Sequence, residues 1–323
     1  VLYDHRNRPV ALRSLVHAPE ATNLRLGDLE RAADVEQALD IAATSGVPPQ
    51  NFVVADAAGN IGWTIAGRIP RRETSELDSP AARAEGRGEW RGWLAPEQYP
   101  RIVNPAEGYV WTANHPVVTG AALAMLGDSG YWHGARARQI RDALRGLDRA
   151  AERDMLAIQL DDRALLLVRW QELLMSSLTP ELIARHPRAT EFRATVGAWN
   201  GRASADSAAY RLVYAFRARV RDVAFAAVTA PCRSLDPKFR FEGFRQHEGP
   251  LWTLVEQRPA HLLNPRFGDW EAQLRAIALE TIEHFDRHYT GPFARRTWGE
   301  HNALSMRHPL SRSVPWLAPF LDM

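Results

Sequence analysis

A carboxamide, a guanidinium and a pair of imidazoles stand out in this sequence as groups able to do chemistry. Asn114 lies in Trp111-Thr112-Ala113-Asn114-His115. A fixed side-chain N–H can stabilise negative charge building on a carbonyl oxygen, and Asn stays neutral at every working pH. By position alone, Asn114 reads instead as a residue that ends a strand and bonds its own turn. Arg136 sits at the mouth of a helix that follows a loop, with Arg138 close by. On its own that is a surface or packing arginine, although a rigid fork of donors also suits a positioning role. His284 and His288, spaced i, i+4, could share a metal. No third ligand accompanies them and no His-Glu-x-x-His occurs, so they read as an exposed helix face. Gly127-Asp128-Ser129-Gly130 has the letters of a chymotrypsin-like nucleophile motif, but Tyr131-Trp132 follows it and no upstream His has a matching context. It reads as a turn. No phosphate-cradling Gly loop is present.

Composition bounds what these groups can serve. Apolar residues make up 46% of the 323 positions and charged residues 24%, the balance of a folded globular chain. The length exceeds what one core usually holds, which implies two domains. Lys+Arg 40 against Asp+Glu 38 leaves +2, too balanced to predict a nucleic-acid or anionic-membrane partner. The arginines are scattered and read as solvated helix faces. Cys232 stands alone, which excludes an internal disulfide and any multi-Cys zinc site. No apolar run approaches the ~20 residues of a membrane helix, and Val1–Arg13 lacks the pattern of a secretory signal.

The elements that must position the site follow from periodicity. Val1–Leu15 alternates loosely and holds one or two strands. Gly27–Ser45 predicts a helix, N-capped by Asp28 and closed by Gly46, with Leu29, Val35, Leu39 and Ala42 on one side. Phe52–Ala55 and Ile61–Ala66 are apolar runs around Asp56-Ala57-Ala58-Gly59-Asn60, a hairpin whose positive-φ positions fall to Gly59-Asn60. Arg71–Arg87 reads as loop. Glu89–Trp93 and Tyr109–Thr112 resume strand character. From Ala135 the period lengthens, and helices are expected over Ala135–Leu147, Asp154–Leu174, Pro180–Ala184, Ala208–Ala227 and Trp270–His288. In Leu212–Arg221, Val213, Phe216 and Val220 form one packed stripe with arginines on the rest.

Several separated segments recur in one family's order: PPQNFVVADAAGNIGW (Pro48–Trp63), GEWRGWLAPEQYPRIVNPAEGYVWTANH (Gly88–His115), GARARQIRDAL (Gly134–Leu144) and RDMLAIQLD (Arg153–Asp161). In them the chain resembles the β-chain of the penicillin acylase family of N-terminal-nucleophile (Ntn) hydrolases. The match is firm from about Pro48 to Asp161 and thin beyond it. The resemblance implies an α+β fold, a partial Ntn-hydrolase αββα core with a large, mainly α-helical insertion. It divides the chain into 1–134 (β-rich core), 135–296 (mainly helical) and 297–323 (a return toward the core). In such enzymes a precursor cuts itself, and the freed first residue of the β-chain is nucleophile and base in one, since an α-amino group with pKa near ~7.7–8.0 needs no triad. Val1 has no nucleophilic side-chain atom. The chain is therefore expected to be an internal piece, inactive by itself, whose partners are the α-chain and the N-terminal part of the β-chain of the same precursor.

The resemblance also assigns residues. Asn114 matches the family's oxyanion-hole Asn, and Arg136, with Arg138 as the nearby alternative, matches an Arg near the nucleophile. Gln50 matches a position lining the acyl pocket, and Asn23–Leu26, with Leu24, forms another wall. No cofactor is implied for the chemistry; a structural calcium is, with Pro80 and Asp128 as ligands of the hard-oxygen type that ion prefers. The substrate would be a small-molecule amide of β-lactam, acyl-homoserine-lactone or lipopeptide type, cleaved through an acyl-enzyme, and the address periplasmic or secreted. Neither a nucleic acid nor a membrane is an expected partner. The competing expectation is a helical binding module without chemistry.

Overall fold

Gln50–Ala55 (β3) and Ile61–Ala66 (β4) pair antiparallel, Asn51 opposite Ile65 and Val53 opposite Trp63, and Ile102–Val103 (β7) extends the sheet on the far side of β4. The structure is a computed structural model that describes residues 2–3, 7–11, 14–72, 90–127, 130–241 and 244–322. Two short pairs complete the β content among them: Leu2–Tyr3 (β1) with Pro9–Val10 (β2), and Pro70–Arg72 (β5) with Trp90–Trp93 (β6). Arg71 and Arg72, the start of the expected loop Arg71–Arg87, are thus strand.

The turn between β3 and β4 is built by a carboxylate. Oδ1 of Asp56 accepts from the N–H groups of Ala58 and Asn60, and Oδ2 from Nδ2 of Asn60 and from N of Val35. Gly59 has φ +89° and Asn60 is not among the positive-φ residues, so glycine alone supplies the left-handed position and Asn60 serves as a donor. Hydrogen bonding, first from the Asn60 side chain, holds the Asp56 carboxyl below its ordinary value.

Val35–Thr44 (α1) lies on one face of this sheet, with Val35, Leu39 and Ala42 buried. It starts eight residues later than the periodicity predicts. Arg25–Arg31 is a 3₁₀ segment without a side-chain cap, and Asp34, not Asp28, caps α1 by accepting from N of Gln37 at 2.9 Å. Asp34 at this place competes with the backbone and sets the boundary. The far end is closed by Asn23 rather than by Gly46: its Oδ1 accepts from N of Gly46 at 2.8 Å and its Nδ2 donates to O of Thr44 at 3.1 Å. The helix approaches β4 at Gly62, where a Cβ would stand 2.6 Å from the Val35 side chain.

The expected strand at Tyr109–Thr112 does not form. Asn104, at φ +45°, ends β7, accepting from N of Ile61 at 2.9 Å. Behind it Gly108 (φ +75°) and Asn114 (φ +59°) turn the chain again, and positive-φ residues this close leave no room for a ladder. Gly120–Leu126 (α2) and Ala135–Arg145 (α3) follow.

The chain forms two compact units, one of residues 1–152 with 242–247, the other of residues 153–241 with 248–323. The second unit is helical. Glu152–Gln159 (α4, from the boundary) and Leu165–Ser177 (α5) replace the single expected helix, parted where Asp161 accepts from N of Arg163. Then come Pro180–Arg185 (α6), Ala189–Gly197 (α7), Ala208–Ala224 (α8), Ala226–Leu235 (α9), Glu248–Gln257 (α10) and Trp270–His288 (α11). Its core brings Trp170, Phe192, Leu212, Phe216, Ile277 and Phe293 together, all fully buried, with α8 packed against α5, α7 and α11. Val213, Phe216 and Val220 are the buried stripe expected of α8. Its arginines are not all solvated, however. Arg217 is buried and its Nε and Nη2 meet Oε2 of buried Glu248, whose Oε1 accepts from Nη2 of Arg169 at 2.6 Å and Nε1 of Trp170 at 2.9 Å. Charge periodicity cannot distinguish a solvated arginine from one whose counterion lies 31 residues away.

Candidate active site

Asn114 sits in a bend, not at a strand end, and two hydrogen bonds hold it. Its carbonyl oxygen accepts from N of Trp132 at 2.7 Å. Its Oδ1 accepts from Nη2 of Arg136 at 3.0 Å, and the same nitrogen reaches O of Ala113 at 3.4 Å. One residue on, Nδ1 of His115 accepts from N of Ala113 at 3.3 Å, and burial lowers the His115 pKa from its ordinary 6.5. A guanidinium has only donors, so the atom facing Arg136 must be the oxygen. Nδ2 of Asn114 then points the other way and has no protein partner among the described residues.

Arg136 occupies the first turn of α3, entered through Gly134 at φ +74°. A cation there opposes the helix dipole, a penalty of about 0.3–1 kcal/mol. Nothing acidic in that turn offsets it. A local rule is broken where a side chain is needed for something else.

Asn114, His115 and Arg136 line a cavity of about 750 Å³ in the first unit, which Gln50 and Asn51 of β3 and Trp63 and Ile65 of β4 also line. Trp63, Ile65 and Ile69 make an apolar wall; Arg72, Arg136 and Arg245 supply positive charge. The described lining contains no Ser, Cys, Asp or Glu, and among the described residues none of the three guanidiniums has a carboxylate partner. Arg72 donates to O of Leu126, and Arg245 lies over the Trp132 ring.

Of the residues implied from sequence, Asn114, Arg136 and Gln50 come together here. Arg138 does not line the cavity, and Leu24 lies outside it, 94% exposed beside Asn23. Pro80 and Asp128 fall outside the described residues, as does Ser129 of the Gly127–Gly130 segment expected as a turn. No group of three or more His, Cys, Asp or Glu that could hold a metal is gathered among the described residues, and the rings of His284 and His288 lie tilted at 36° with centroids 4.5 Å apart. No helix there is long and apolar enough to cross a membrane. Arg245 and His115 escaped the sequence reading. Arg245 lies more than a hundred positions beyond the matched segments' Asn, so only the fold brings it in; His115 was adjacent to Asn114 but carried no spacing signal.

By its match to a solved structure the chain has an Ntn-hydrolase fold, of which the hairpin sheet backed by α1 is part. It superposes on the thermostable penicillin G acylase of Alcaligenes faecalis with a TM-score of 0.58, at 18% identity over 84% of this chain and 52% of that one. The penicillin amidase family is matched over residues 1–321, and the chain belongs to it. The penicillin acylase 2 proenzyme of Pseudomonas sp. (strain SE83) is 29% identical over 97% of this chain. The acyl-homoserine lactone acylase QuiP of Pseudomonas aeruginosa is 29% identical over 64%. The chain spans 39% of the first relative's length and 25% of the second's.

Proposed function

We propose that this chain supplies the oxyanion-stabilising and substrate-binding part of an amidohydrolase that splits a linear amide into a carboxylic acid and an amine. The observation that carries the reading is the bond from Arg136 to Oδ1 of Asn114, which leaves Nδ2 as an oriented, unpartnered donor beside the cavity. A preorganised donor of this kind is worth most where water is excluded and charge develops only in the transition state.

The attacking group in this proposal is an N-terminal Ser, Thr or Cys on polypeptide other than residues 1–323. Its oxygen or sulfur adds to the amide carbon while its α-amino group takes the proton. Nδ2 of Asn114 donates to the resulting oxyanion. The C–N bond then breaks, the proton passes to the departing amine, and water hydrolyses the acyl-enzyme to the acid. By this reading residues 1–323 alone are inactive.

Of the substrate types named for the two relatives, a penicillin carries a carboxylate and an acyl-homoserine lactone is neutral. Three guanidiniums without carboxylate partners among the described residues favour the anion. The test is hydrolysis, by the complete protein, of one acyl group linked either to a carboxylate-bearing amine or to its neutral ester. Release of amine from the carboxylate at the higher kcat/KM is expected. Absence of hydrolysis of both removes the amidohydrolase reading, and preference for the ester removes the anionic substrate.

A further inference from the structure

The cavity holds a second carboxamide arranged like the first. Nε1 of Trp63 donates to Oδ1 of Asn51 at 2.9 Å. Trp63 is 1% exposed and its indole has a donor and no acceptor, so Oδ1 is held toward the ring and the NH₂ group is turned away. Strand register explains the geometry. Asn51 faces Ile65 across the hairpin and Val53 faces Trp63, so Asn51 and Trp63 are diagonal neighbours on the sheet face away from α1. Among the described residues Nδ2 of Asn51 has no protein partner, and Asn51 is not among those that bury an unpartnered polar atom. A polar donor therefore opens on the wall made by Trp63, Ile65 and Ile69, whereas the guanidinium of Arg136 stands beside Asn114.

We infer that Asn51 is a substrate-binding residue whose NH₂ donates to an oxygen carried by the acyl chain, selecting acyl groups with a keto or ether oxygen over all-methylene ones. This rests on the amidohydrolase reading. An acyl chain without that oxygen would cover the donor and leave it unsatisfied, which disfavours it.

The test is a series of amides of one acyl length, in which a single keto oxygen is moved along the chain and the all-methylene acyl group is the reference. With the complete protein, one position is expected to exceed the reference in kcat/KM by about tenfold, the worth of one good hydrogen bond. Asn51→Asp keeps an acceptor for Trp63 but removes the NH₂, and should bring the ratio to about one; Asn51→Ala should do the same where it folds. A wild type indifferent to the keto position, or an Asn51→Asp protein that keeps the preference, overturns the inference. If the complete protein hydrolyses none of the amides, the amidohydrolase reading has failed. The same series is then scored by calorimetric affinity, where a keto-dependent Kd lost in Asn51→Asp supports the role of Asn51 and its absence overturns it.

Discussion

Arg136 and Asn114 are joined by one hydrogen bond, 3.0 Å from Nη2 to Oδ1, and that bond decides which end of the carboxamide faces the cavity. Without it the amide can turn and offer an oxygen, the wrong sign for the oxyanion of the proposed reaction.

Asn114→Ala in the complete protein is expected to lose about 10²–10³ in kcat with a smaller change in KM. Because Asn114 sits at φ +59°, Asn114→Gly should lose as much activity yet melt higher than the Ala variant, which must hold a left-handed backbone with a Cβ. A near-normal kcat in both takes Asn114 out of the mechanism.

Arg136→Lys retains the charge but not the fork, and is expected to lower kcat by about tenfold or more, with Arg136→Ala lower still. Loss confined to KM would make Arg136 a substrate contact rather than a positioning residue.

His115 is expected to give the proposed activity an acid limb. Its Nδ1 accepts from N of Ala113, which requires an unprotonated nitrogen, and burial lowers its pKa below 6.5. Below that value the unfolded chain binds more protons than the folded one. The stabilisation is therefore complete above pH 6.5 and is lost as pH falls through the folded pKa. The kcat/KM profile should fall on that side, and His115→Asn, whose Oδ1 can accept without titrating, should move the limb to lower pH. An unmoved limb belongs to another group.

Glu248→Ala is expected to destabilise the helical unit by about 3–5 kcal/mol, since it leaves Arg217 buried without its counterion. Burial alone would raise the Glu248 pKa; the charge of Arg217 and the bonds from Trp170 and Arg169 outweigh it and lower it. Denaturant unfolding should show Glu248→Gln, which keeps the shape, less destabilised. Equal losses would mean that packing, not charge, holds the site.

Gly62→Ala places a methyl 2.6 Å from the Val35 side chain under α1, and about 1–3 kcal/mol of stability should be lost through overpacking. An unchanged melting temperature would show that α1 can shift at no cost.

Short-range chemistry was readable from the sequence wherever one element carried its own signal. The hairpin around Asp56–Asn60 and the helix Trp270–His288 form where periodicity places them, and four separated segments identify the family. The boundaries that slipped did so where a side chain outbid periodicity: Asp34 over Asp28 as the cap of α1, Asp161 breaking what reads as one helix. Helices α7 and α10 were missed because their buried residues face partners far along the chain rather than making a strong stripe of their own.

The site divides in the same way. Asn114 and Arg136 could be named from their motifs, because a residue type in a matching segment is a property of the chain alone. Which carboxamide atom faces the cavity, that Asn51 repeats the arrangement through Trp63, and that Arg245 joins the same lining are decided by tertiary structure. A hydrogen bond has direction, and direction exists only once both partners are held in space.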